Sequence, residues 1–161
     1  MSKAAHGYAT RIIWDGNRGD GTAAYDAYGR GYRILVDGKA ELAGSADPAF
    51  RGDRDKHNPE ELFVAAIAAC HMLFYLSLCA RDGISVIAYE DGATATLVVD
   101  ADGGGRLDGI VLHPAVTVAS ADDAPRALAL HARAHALCFL ASSCATPIRH
   151  DATVRAAGAR S

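Results

Sequence analysis

Residues 58–80 restrict what this chain can become more than any other stretch. Asn58-Pro59-Glu60-Glu61 reads as a helix start. Asn58 can cap, and Pro59 suits the first helical position, where its missing N–H costs no bond. Glu61 stands three residues after the cap, as a capping box requires. From Leu62 to Ala80 apolar residues then occupy nearly every face, so a helix of about 20 residues is expected, buried almost all round rather than lying on a surface. Gly83 supplies a natural C-terminal stop. A chain built on such an element must find other elements to cover it.

The flanking sequence offers mostly strands. In 7–14, Tyr8, Ile12, Ile13 and Trp14 favour extended backbone, closed by the Gly/Asp-rich residues 15–21. Residues 32–36 and 40–43 read as a hairpin across Asp37-Gly38, because Asp-Gly supplies the positive φ that tight hairpins need. Residues 50–57 form a charged loop. Beyond the central helix, 84–89, 93–99 and 110–118 are alternating or β-branched runs separated by Asp91-Gly92 and Gly103-Gly104-Gly105, a second meander. Asp122 or Asp123 with Pro125 opens another helix, running to about Ser142, and 153–156 adds a last short strand. The order is β-meander, helix, β-meander, helix, an α+β chain. With 161 residues, no internal repeat and no low-complexity linker, residues 1–161 are expected to form a single domain.

Composition excludes several classes of partner. Half of the residues are hydrophobic and 22% are charged, an ordinary globular balance. The net charge of −3 is spread over 16 Lys+Arg and 19 Asp+Glu without a basic block, so no nucleic-acid partner is expected. The first ten residues lack the basic start and apolar run of a secretory signal. No segment is expected to reach the roughly 20 apolar residues that span a bilayer. The expected address is the cytoplasm, with no membrane partner. Four cysteines, at 70, 79, 138 and 144, include no CxxC pair, so neither a zinc ribbon nor a thioredoxin-like motif is on offer. In a reducing compartment such cysteines are usually free, metal-bound or catalytic.

Cys70 falls in the middle of the central helix, where an isolated thiol is more often a small buried hydrophobe than a reagent. Cys79 is nine residues on, roughly 180° around the same helix, so the two cannot pair within one chain, and Cys79 reads as packing. If Cys70 has a disulfide partner, it must come from the second helix, which offers Cys138 and Cys144. On that helix His131, His135 and Cys138 fall at i, i+4 and i+7. Such a face can ligate zinc, but with no fourth ligand it is weak, and half-buried, partly satisfied histidines are the commoner outcome. His6, His57, His71, His113 and His150 show no ligand spacing.

The run Asn58-Pro59-Glu60-Glu61-Leu62 followed by Ala65, Ala66, Ala69 and Cys70 resembles the NPEEL…AAC helix of the OsmC/Ohr peroxidases, the osmotically induced and organic-hydroperoxide-resistance proteins. Ala134-His135-Ala136-Leu137-Cys138 resembles the second-helix cysteine of that family, and the element order agrees along almost the whole chain. The resemblance implies an OsmC-like fold, with Cys70 the peroxidatic and Cys138 the resolving thiol. Glu60 matches the family's carboxylate that orients an active-site arginine. Arg18, in an early glycine-rich loop, matches one family position for that arginine, while Arg51 and Arg54 lie in the loop before the helix where some members place it. After Cys138 the family usually has Pro and then Ser; here Phe139-Leu140-Ala141-Ser142 follows, and Cys144 is an extra thiol, the mark of a divergent branch.

The chemistry fits those residue types. Only a thiolate attacks an O–O bond, and burial in an apolar helix opposes the thiolate, so a permanently charged guanidinium is needed beside it. A carboxylate such as Glu60 would pin that arginine. Glu60 and Cys70 lie ten residues apart, about 15 Å along one helix, too far to share an arginine easily in cis. Two central helices packed antiparallel about a two-fold axis near Ala65 would bring Glu60 of one chain beside Cys70 of the other. The resemblance thus leads to an intertwined homodimer that reduces organic hydroperoxides without a cofactor or metal. The cycle is closed by an external dithiol, of lipoyl type by family resemblance. Alternatives are a binding or stress-associated protein of the same fold without efficient turnover, and a thiol enzyme acting on another electrophile.

Overall fold

The computed structural model describes residues 4–158. Its central element is helix α1, Pro59–Arg81. Both arms of the capping box form: the Glu61 N–H donates to Asn58 Oδ1 at 2.8 Å, and the Asn58 N–H donates to Glu61 Oε2 at 3.2 Å. Gly83, at φ 72°, ends the helix in the left-handed conformation that a side chain would resist. The Ile84 N–H then closes onto the Cys79 carbonyl at 2.9 Å.

Two compact units divide the chain between Leu62 and Phe63. In the first, β1 (Arg11–Trp14), β2 (Tyr32–Leu35) and β3 (Leu42–Gly44) form an antiparallel sheet in that order, the expected meander. Gly38 takes φ 75° in the turn between β2 and β3.

The second unit holds β4 (Val86–Asp91), β5 (Thr94–Val99), β6 (Gly105–Leu112), β7 (Pro114–Val118), α2 (Ala124–Leu137), β8 (Ile148–His150) and β9 (Thr153–Ala156). These strands do not form a simple meander. The sheets run β4-β7-β9 and β5-β6-β8, with β4–β7 and β5–β6 antiparallel but β6–β8 and β7–β9 parallel. The expected single run 110–118 is broken at His113. Pro114 opens the new strand without an N–H to give, and the His113 N–H is drawn to Asp91 Oδ1 at 2.7 Å.

The second unit buries one stripe of α1: Ile67, His71, Tyr75, Leu78 and Cys79. Tyr75, Leu78 and Cys79 pack with Val116, Val118 and α2, while Ile67 packs with Ile110 and Leu112. Off the stripe, Leu73 is 62% exposed, so one chain covers only part of a helix that is apolar all round. By length and composition α1 is also apolar enough to cross a membrane, contrary to expectation, yet its buried stripe belongs to the protein's own core.

Helix α2 joins α1 through a buried pair of imidazoles. His71 Nε2 and His131 Nδ1 lie 3.0 Å apart with the rings 5° from coplanar, and both residues are inaccessible to solvent. One ring must donate and the other accept. Tyr75 stacks on His131 at 3.9 Å. Burial, reinforced by His150 and His135, pushes His71 down to about 4; burial, reinforced by His71 and His150, pushes His131 down to about 3. The nearby carboxylate, Asp151, acts on His150, which is itself lowered by burial first and then by His135.

Both imidazoles are therefore neutral in the folded chain and take up protons on unfolding wherever pH is below their ordinary value of 6.5. The stability they protect is complete above that value and is lost as pH falls through the window down to about 4 and about 3. Urea unfolding between pH 7.5 and 5 is expected to show stability falling with acid by up to about 1.4 kcal/mol per pH unit for each ring. In His131→Asn about half of that slope should disappear.

Candidate functional site

Cys70 sits halfway along α1 and is half-buried; Cys138 is 1% exposed. Sixty-odd residues separate them in sequence, yet Cys138 lies near enough to Cys70 for that thiol's hydrogen bonding and charge to act on it. Cys138 does not lie on the helix. Helix α2 stops at Leu137, five residues short of expectation, and Cys138 is extended at φ −64°, ψ 114°. The residues after it compete for the bonds that a further turn would use. The Ser142 N–H donates to the Cys138 carbonyl at 3.0 Å, the Ser143 hydroxyl to the Phe139 carbonyl at 2.6 Å, and the Ala141 N–H to Cys138 Sγ at 3.5 Å. Neither Pro nor Gly marks this stop, so the periodic pattern gave no warning of it.

Burial holds the Cys138 thiol above its ordinary range, Cys70 adds to the shift, and the backbone N–H groups of Ala141 and Leu140 oppose it. Cys138 is thus a protonated thiol at neutral pH. Cys144, the extra thiol, packs instead against the Ile67 cluster and points its sulfur at the Ala141 and Thr146 carbonyls, each 3.9 Å away. Cys79 lies in the core, as read. All four cysteines are free. Beside the thiols, Phe74 of α1 and Phe139 meet edge to face at 4.8 Å, and Phe139 is 71% exposed.

The histidines gather in a way that no linear spacing announces. His150 of β8 tilts over His71 and His131 at 5.6 and 5.9 Å, and His135 lies 5.9 Å from His150. Three elements contribute, which is why spacing along one helix could not find the cluster. A usable signal was the position of His71 four residues from both Ile67 and Tyr75, on the buried stripe. Among the described residues no group of three His, Cys, Asp or Glu is arranged to hold a metal ion. His131 Nδ1 is engaged by His71, and Cys138 has left the helical face it was expected to share with His131 and His135.

Glu60 and the arginines lie in the first unit. Glu60 is half-buried in the first turn of α1, and its charge adds to burial in raising the Tyr32 phenol. Arg18 borders a cleft of about 360 Å³ whose other charged walls are already paired, Arg33 with Asp15 and Glu41, and Lys56 with Asp53. Arg51 takes φ 66° at the end of a short 3-10 turn and lies 5.9 Å from the Tyr25 ring. Among the described residues none of Arg18, Arg51 or Arg54 forms an ion pair with Glu60.

Comparison with known proteins agrees with this architecture. An OsmC-like protein from Vibrio cholerae, described as of unknown function, is 27% identical, with a TM-score of 0.82 over 92% of this chain and 99% of that one. An organic hydroperoxide resistance protein from Legionella pneumophila, 22% identical, superposes with a TM-score of 0.68 over 94% of this chain and 98% of that one. The organic hydroperoxide resistance protein OhrB of Bacillus subtilis, 21% identical, gives 0.60 over 92% and 98%. At those last two identities the likeness is one of fold. No curated protein matches. The model of the family described as OsmC-like protein matches residues 52–153, a span that takes in Glu60, Cys70 and Cys138 but not Arg18. With more than half of its length matched, this chain belongs to the OsmC-like protein family.

Proposed function

We propose that the chain is a cytoplasmic thiol peroxidase for organic hydroperoxides, acting as one OsmC-like domain over residues 1–161. The observation that carries this reading is the meeting of Cys70 with Cys138, a half-exposed thiol beside a buried, protonated one. That asymmetry suits an attacking and a resolving role. The Cys70 thiolate attacks one oxygen of ROOH, the O–O bond breaks, and the alcohol leaves with a proton, giving Cys70 sulfenic acid. Cys138 then forms the S–S bond, and the sulfenic oxygen departs as water. An external dithiol takes up the disulfide and is itself oxidised. The names of the Legionella and Bacillus neighbours and the edge-to-face Phe74–Phe139 pair favour an organic substrate.

A cation must favour the Cys70 thiolate, and Arg18, held by Glu60, is the candidate, with Arg51 and Arg54 its rivals. Among the described residues no ion pair joins Glu60 to any of them, and α1 leaves apolar residues such as Leu73 uncovered. Both features support an intertwined homodimer in which Glu60 of one chain serves the site of the other.

Mass spectrometry after one equivalent of cumene hydroperoxide is expected to find a Cys70–Cys138 linked peptide, and Cys70→Ser to consume hydroperoxide no faster than buffer. Unchanged consumption by Cys70→Ser would instead favour a binding or stress-associated protein. Light scattering at micromolar concentration should return twice the chain mass, and a monomer would remove the composite site. Arg18→Ala is expected to lower kcat/KM by about a hundredfold, against little change in Arg51→Ala and Arg54→Ala.

A further inference from the structure

The buried imidazole pair is an expensive way to join two helices. Among the described residues His71 Nδ1 and His131 Nε2 find no hydrogen-bond partner, and neither does the neighbouring His135 Nδ1. Two apolar side chains of similar shape would fill the same space without leaving buried polar atoms unmet. What the imidazoles add is direction. A dispersion contact tolerates sliding and rotation, whereas a coplanar N–H···N bond at 3.0 Å has one geometry. Tyr75, stacked on His131 at 11°, fixes the plane of the accepting or donating ring.

The location of this bond relates it to the thiols. His71 directly follows Cys70 on α1, and His131 lies seven residues before Cys138, about 10 Å back along α2. Turning α2 about its axis, or sliding it, would carry Cys138 away from Cys70. No covalent link holds the thiols together in the reduced chain, so their meeting depends on non-covalent contacts between the helices.

We propose that the His71–His131 hydrogen bond is a positioning device that sets the register of α2 on α1 so that Cys138 faces Cys70. The two histidines are positioning residues for disulfide formation and take no part in attack on the peroxide. The inference rests on the Cys70–Cys138 pairing of the proposed function, but it concerns a dithiol equilibrium that can be measured without hydroperoxide.

The test is equilibration of the whole protein in mixtures of reduced and oxidised glutathione. The two thiols of Cys70 and Cys138 are oxidised to one disulfide while one oxidised glutathione gives two reduced molecules. Two near-isosteric pairs separate the hydrogen bond from ring-sized packing. His131→Asn keeps a polar atom at the Nδ1 position and His131→Leu does not; His71→Gln keeps one at the Nε2 position and His71→Met does not. The Leu and Met variants are expected to lower the equilibrium constant for the disulfide about tenfold, and the Asn and Gln variants to stay within about threefold of the parent. In a Cys138→Ser background, all four should react with cumene hydroperoxide at the parent's first-step rate. Leu and Met variants that match the parent would overturn the proposal, as would Asn and Gln variants that fall equally far. Should both apolar variants be unfolded by circular dichroism, the Asn and Gln pair decides: parent-like exchange supports the proposal and a tenfold loss in both overturns it. A parent that forms the disulfide with glutathione but ignores hydroperoxide would remove the peroxidase reading alone. A parent that never links Cys70 to Cys138 would remove both.

Discussion

A 23-residue helix with apolar side chains on nearly every face has no solvent side of its own, and the protein is organised around that difficulty. The second unit covers one stripe, through the Tyr75–Leu78–Cys79 and Ile67 clusters, and leaves Leu73 and its neighbours in water. Cys70 sits on the boundary between the two faces. Cys70 is half-buried because it lies beside the covered stripe rather than in it, and His71, one residue on, is fully enclosed. A half-exposed thiol and a ring that meets another helix are thus adjacent in sequence and separated by 100° of helix.

The electrostatics divide along the same line. Five groups in the covered region are held neutral: His71 and His131 by burial, Tyr75 and Tyr89 with phenols pushed up by burial, Cys138 as a thiol. A region that disfavours charge is a poor place for an anion, so in the proposed reading the cation that favours a Cys70 thiolate stands on its open side. The carboxylate and arginines that the family motif singles out lie in the first unit, Glu60 in the opening turn of α1 and Arg18 at its cleft.

How legible was this in the sequence? The capping box and Gly83 bounded α1 to within a residue or two, because local hydrogen bonds and a positive φ write themselves in residue type. The first meander was readable for the same reason, through Asp37-Gly38. The second was not: which strand pairs with which is decided by long-range packing, and the interruption at His113-Pro114 converts one apparent strand into members of two sheets. Cys70 and Cys138 were named through a family motif, whereas their nearness exists only in the folded chain and the stop at Leu137 is set by turn hydrogen bonds that carry no distinctive residue. The four histidines stayed invisible because their spacing exists only in three dimensions, across α1, α2 and β8.

The placement of Cys138 just beyond the end of α2 bears on what can move. A sulfur carried inside a helix shifts only by tilting the whole rod or unwinding a turn, and either costs several backbone hydrogen bonds. Cys138 hangs instead from an extended residue, with its sulfur and carbonyl tied to the short 139–143 turn. Closing and opening the proposed S–S bond there would draw on two or three main-chain torsions of that turn. The helical scaffold could then stay rigid through the proposed cycle while a small hinge does the travelling.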